Sequence, residues 1–149
     1  MQSAECRVQS AELRIISLPA AAEIFNYYMR YKMQKAIIEQ KSFDFAVRIV
    51  KLYQYLCEEK KEYVLSKQLL RCGTSIGANV SESQRGQSKP DFYSKIAIAL
   101  KEANETYYWI RLLYATDYLI EKQYSSLAAD INEIISILVA ICNSKNKTE

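Results

Sequence analysis

From residue 42 onward, apolar and polar positions recur three and four apart, the spacing that gathers one kind of side chain on one face of an α-helix. Phe45, Ile49, Leu52, Tyr53 and Leu56 form the first apolar stripe. They predict a helix that starts at about residue 37 or 42, with Ser42 as a candidate N-cap, and ends near 58. Residues 58–61 (EEKK) read as a charged turn. Leu65, Leu69, Cys72, Ile76 and Val80 predict a second helix over about residues 63–84. Residues 83–88, which include Gly86, break that pattern. Ser88, Pro90 and Asp91 then announce a third helix: serine caps, proline is tolerated in the first turn, and the carboxylate favours the positive helix end. Its stripe runs from Phe92 through Ile96, Ala99, Ala103, Tyr107 and Ile110 to Tyr114, and no glycine or proline interrupts it before about residue 118. Leu127, Ile131, Ile134, Ile135, Leu138 and Ile141 predict a fourth helix over about 122–143. Short connections between helices of similar length imply antiparallel neighbours. The expected fold is therefore all-α, an up-down-up-down four-helix bundle over residues 37–145, with a frayed tail at 146–149.

The beginning of the chain follows a different pattern. Residues 2–8 (QSAECRV) and 9–15 (QSAELRI) are a tandem repeat of seven, too few copies for a solenoid. Pro19 interrupts, and Met33 opens a stretch that reads as a natural beginning. Residues 1–36 are therefore expected to be an N-terminal extension. It is either an appendage outside the fold or a helix docked through Tyr27, Tyr28 and Tyr31.

The second helix is the most informative. Residues 68–82 (QLLRCGTSIGANVSE) hold Gly73 and Gly77, two of the three glycines in the chain. Each costs a helix about 1 kcal/mol relative to alanine, so close helix–helix approach is the expected reason for them. Gln68, Arg71, Ser75, Asn79 and Glu82 share one polar stripe. With Glu102 and Glu105, three apart on the third helix, they are expected to form a polar network across the interface, with Arg71 or Lys101 pairing the carboxylates and Ser75 and Asn79 bonding across to them.

These residues carry a family likeness. Gln68-Leu69, Arg71, Ser75-Ile76, Ala78-Asn79-Val80 and Glu82 resemble the signature of the four helix bundle protein family, encoded in intervening sequences of bacterial 23S ribosomal RNA genes. Asp91-Phe92, Lys95, Ala99, Lys101-Glu102 and Glu105 resemble its third helix. The likeness spans about residues 42–143. Gly77 stands where the family often has proline, and Ser83 where it often has glycine. The resemblance implies an antiparallel four-helix bundle. That family is similar to the accessory protein of diversity-generating retroelements, a homopentameric ring that binds nucleic acid and a reverse transcriptase. What the resemblance implies for this chain is a non-enzymatic homo-oligomeric scaffold or adaptor, with a pentamer as the specific expectation. The alternative is a nucleic-acid-binding accessory acting with an RNA element or a reverse transcriptase.

Composition narrows the chemistry. The chain has 149 residues, half of them hydrophobic, and a net charge of +3 from 20 basic and 17 acidic residues. That charge is too small to demand nucleic acid, and the retroelement relative is notably more basic. Arg85, Lys89 and Lys95 flank Gly86 and the start of the third helix and are the candidate contacts to phosphate. There is no histidine. This removes Cys/His zinc sites, the Glu-x-x-His pairs of di-iron bundles and the base that Ser75 or Cys72 would need as a nucleophile. No catalytic, cofactor-binding or metal-binding residue is expected. The four cysteines lack metal-site spacing and read as free buried thiols. Tyr107, Tyr108 and Trp109 are consecutive, so they splay around the helix. One of them is expected at a subunit interface, with base stacking the sharper alternative. No uninterrupted apolar run reaches 18 residues, so no membrane partner and a cytoplasmic location are expected.

Overall fold

The computed structural model describes residues 18–144. The tandem repeat, Cys6 and the C-terminal tail lie outside them. Four helices follow in order: α1 (Leu18–Glu58), α2 (Leu65–Ser83), α3 (Lys89–Ala115) and α4 (Glu121–Ser144). No strand occurs among the described residues. Each helix packs against the next, and α4 closes the ring against α1. The cross-helix contacts run in opposite senses. Lys41 meets Glu133 while Arg48 meets Asp130, as antiparallel neighbours require. The architecture is the expected up-down-up-down bundle.

The apolar stripes close the core. Phe45, Ile49 and Leu56 of α1, Leu69 and Ile76 of α2, Ile96 and Ile110 of α3, and Ile131, Ile134 and Leu138 of α4 are fully or almost fully buried. Helix α4 is long and apolar enough to cross a membrane by length and composition. In the bundle its most apolar stripe lines this core. The start of α3 follows its sequence signal: Ser88 Oγ accepts from the Asp91 N–H at 3.2 Å, with Pro90 in the first turn.

Helix α1 departs from expectation. It begins at Leu18, not at residue 37 or 42, and passes through residues 36–37 without a break. Pro19 does not interrupt it because it lies in the first turn, where a missing N–H costs nothing. No further glycine or proline occurs before residue 58. Ser42 is consequently not an N-cap. It is buried in mid-helix, and its hydroxyl donates to the Glu39 carbonyl at 3.1 Å. At about 1.5 Å per residue, the 41 residues of α1 span about 60 Å. The bundle covers only the later part. Every described side chain from 21 to 33 is exposed, Ile24, Phe25, Tyr28 and Met33 among them.

Candidate interaction surfaces and the polar seam

The polar stripe of α2 meets α3 through Arg71. Its guanidinium forms ion pairs with Glu105 and, at 3.5 Å, with Glu102. Trp109 Nε1 donates to the same Glu105 carboxylate at 3.3 Å. Burial pushes the Glu105 carboxyl up, but the hydrogen bonds from Arg71 and Trp109 outweigh it and hold the group below its ordinary value. Further along, Lys95 Nζ pairs with Glu82 at 2.6 Å, which raises the Lys95 ammonium above its ordinary value. Three members do not join. Asn79 Nδ2 donates to the Ser75 carbonyl of its own helix at 2.9 Å, so neither residue crosses the interface as expected. Gln68 is exposed. The seam is thus two ion-pair clusters, and Arg71 is itself half exposed. Arg71→Ala and Glu105→Ala are expected to be non-additive in urea melts. Their coupling should be small and should shrink in about 1 M salt, because water and ions screen a pair this open.

The α2 glycines face α1. A Cβ on Gly73 would lie 2.9 Å from both Cγ1 and Cγ2 of Ile49, and one on Gly77 would lie 3.3 Å from the Ser42 carbonyl oxygen. At Gly73 a Cβ is therefore admitted only if Ile49 or the helices shift, and at Gly77 it would make a tight contact with the α1 backbone. Just outside Gly77 the two helices leave a groove of about 550 Å³. It is walled by Ala36, Glu39, Gln40, Phe43 and Ala46 of α1 and floored by Thr74, Gly77, Ala78 and Ser81 of α2.

The basic candidates are not brought together as a phosphate site. Lys95 is engaged by Glu82. Arg85 lines a polar cleft that also contains Glu82 and Asp91, and Lys89 is exposed at the first position of α3. Asp91 Oδ2 already occupies the Gln87 N–H at 3.2 Å. Of the consecutive aromatics, Tyr108 is exposed and sits edge-on to Trp109 at 5.1 Å, while Tyr107 and Trp109 pack against the core. Cys57, Cys72 and Cys142 are free, and burial raises the thiols of Cys72 and Cys142, which keeps them neutral.

One residue escaped the sequence reading. Glu62, which lies between the charged turn at 58–61 and the second helix and has no role in that reading, is buried. Its Oε1 accepts from the Val64 and Leu65 N–H groups at 2.9 Å, and its Oε2 from the Ser66 N–H at 2.6 Å. The Ser66 hydroxyl returns a bond to the Glu62 carbonyl at 2.8 Å. A carboxylate thus satisfies three orphan donors at the start of α2, where the N-cap residue Val64 offers no side-chain acceptor.

Comparison with known proteins places this geometry. The family model described as 23S rRNA-intervening sequence protein matches residues 34–140. No curated protein matches the chain. A solved structure from Bacteroides thetaiotaomicron VPI-5482, a protein with unknown function from the S23 ribosomal protein family, is 51% identical. It superimposes with a TM-score of 0.73 and covers 74% of this chain and 98% of its own.

Proposed function

We propose, since the chain belongs to the 23S rRNA-intervening sequence protein family, that it acts as a non-enzymatic scaffold that works by associating with itself. The observation that carries this reading is the uncovered apolar length of α1. Ile24, Phe25, Tyr28, Met33 and Phe43 are each more than half exposed, although the bundle has already closed its own core. Large apolar side chains left uncovered along one helix mark an interaction site. Among the described residues the charges of the seam are paired with one another, and no cluster of free acid, base and nucleophile argues for catalysis.

Sedimentation velocity with multi-angle light scattering tests the reading. A mass of several times 17.2 kDa, with no nucleic acid absorbance copurifying, is the expected result; a monomer would overturn it. The nucleic-acid reading makes a different forecast: salt-dependent RNA binding that Arg85→Glu with Lys89→Glu abolishes. With Glu82 and Asp91 beside Arg85, the scaffold reading expects no such binding at low salt.

A further inference from the structure

We infer that the opening turns of α1 seat residues 2–15 of the same chain, folded back on them as an antiparallel helix. This goes beyond the self-association proposed above and does not depend on it, because the two use different faces of α1.

The helix itself defines the face. Ala20, Ile24, Tyr27 and Tyr31 precede Ile38, Ser42, Phe45 and Ile49 by eighteen residues each, which is about five whole turns of an α-helix. The later four point into the bundle and are 0–1% exposed. The earlier four positions therefore continue the core-facing stripe of α1 past the end of the bundle, where Ile24 is 59% and Tyr27 40% exposed. An apolar stripe in phase with a core is the stripe another helix covers. Phe25, Met33 and Phe43, which carry the self-association, lie about a third of a turn or more away around the helix.

The occupant is named by the chain that enters at the tip of this face. The tandem repeat sets Ala4, Val8, Ala11 and Ile15 at steps of four, three and four, the period with which two helices stay in contact. Ala20, Ile24, Tyr27 and Tyr31 have the same steps. Because α1 starts at Leu18, Ile16 and Ser17 are the connection, and antiparallel helices are joined by loops of about two to five residues. That turn brings Ile15 to Ala20, Ala11 to Ile24, Val8 to Tyr27 and Ala4 to Tyr31. Every layer pairs a smaller side chain with a larger one, as a filled seam requires. A register one heptad further on sets Val8 against Gln34 and Ala4 against Ile38, which the bundle already buries. At the flanks Arg14 falls beside Glu23 and Arg7 beside Arg30, one attraction and one repulsion, so the short connection and the side-chain sizes set the register. Both partners precede the region matched by the family model, so this pairing is a property of this chain.

Cysteine pairs in the full chain test it, because a docked helix and a loose appendage differ in which thiols meet. Position 11 shares a layer with position 24, whereas Cys6 falls on the outer face of the repeat, pointing away from α1. Under mild oxidation at low protein concentration, Ala11→Cys/Ile24→Cys in a Cys6→Ser background should close a bond within one chain, read by peptide mass. Ile24→Cys alone, with Cys6 in place, should not close one, since the two thiols are held out of disulfide reach. Limited trypsin digestion supplies a second reading. Cleavage after Arg7 and Arg14 should be slow in the parent and about tenfold faster in Ile24→Glu, with the unfolding midpoint of the bundle unchanged. Equal closure of the two cysteine pairs, or equal cleavage of parent and Ile24→Glu, would show a loose appendage and overturn the pairing. A bond from position 11 to position 24 of another chain would overturn it in favour of an exchanged segment. None of these results alters the mass measurement that tests self-association, and a monomer there would leave this pairing standing.

Discussion

Replacing Gly73 with leucine is expected to destabilise the bundle by about 3 kcal/mol or more. Even the first added carbon would sit 2.9 Å from both branches of Ile49, and Ile49 is fully buried, so the isoleucine has no open space to swing into. The helices must separate or a core rotamer must be forced. The gain in helix propensity, about 1 kcal/mol, opposes this and is too small to win. Differential scanning calorimetry should show Tm falling by about 10 °C for a domain of this size. Gly73→Ala is the finer probe, because it adds the clashing Cβ and nothing beyond it. Truncating Ile49 to alanine removes both offending carbons, so Gly73→Ala should be more favourable in the Ile49→Ala background than in the parent. Equal effects in the two backgrounds, or a Gly73→Leu protein that melts like the parent, would mean that α2 does not press on α1 here.

Loss of the Glu62 carboxylate is the second large effect. Glu62→Ala removes three hydrogen bonds from the start of α2 and leaves their donors without an acceptor, at a cost of about 2 kcal/mol. Burial pushes this carboxyl up, but the bonds from Leu65, Ser66 and Val64 prevail and hold it below its ordinary value of 4.5. The folded-state value is thus lower than the unfolded one. The stabilisation is complete above the ordinary carboxylate range and is lost as pH falls through the folded-state value beneath it. Glu105 shares that sign. Urea midpoints should therefore decline on acidification below about pH 4.5, and Glu62→Ala should decline less steeply than the parent. Parallel pH profiles for the two proteins would show that Glu62 does not cap α2.

The three later helices were legible because their ends are chemically marked. Gly86 closes one segment, and Ser88, Pro90 and Asp91 open the next with a cap that the structure reproduces. The start of α1 was not legible, for the opposite reason. Pro19 looks like a breaker unless it is already known to occupy a first turn, and the apolar residues that follow it are exposed, so they lack the one-sided pattern of a buried helix. Ser42 misled because a serine ahead of an apolar run is a good cap only where a helix actually begins. In the seam, Arg71 and Glu105 were found by charge and phase. Asn79 and Ser75 lie four apart on one helix, where an amide reaches its own backbone as readily as a neighbouring helix, and spacing alone does not distinguish the two. Glu62 was hidden among other charges. Its only signal was a carboxylate placed just ahead of the Leu65 stripe.

The exposed opening turns of α1 have a consequence for hydrogen exchange. A helical segment of this length with no tertiary neighbour is marginal in water, so, left bare, the amides of residues 20–33 should trade their hydrogens quickly, while those around Ile49 and Ile76 wait for global opening. Any assembly that covers those turns further would slow them. Deuterium uptake in this one stretch, measured against protein concentration, would then serve as a gauge of association built into the backbone itself.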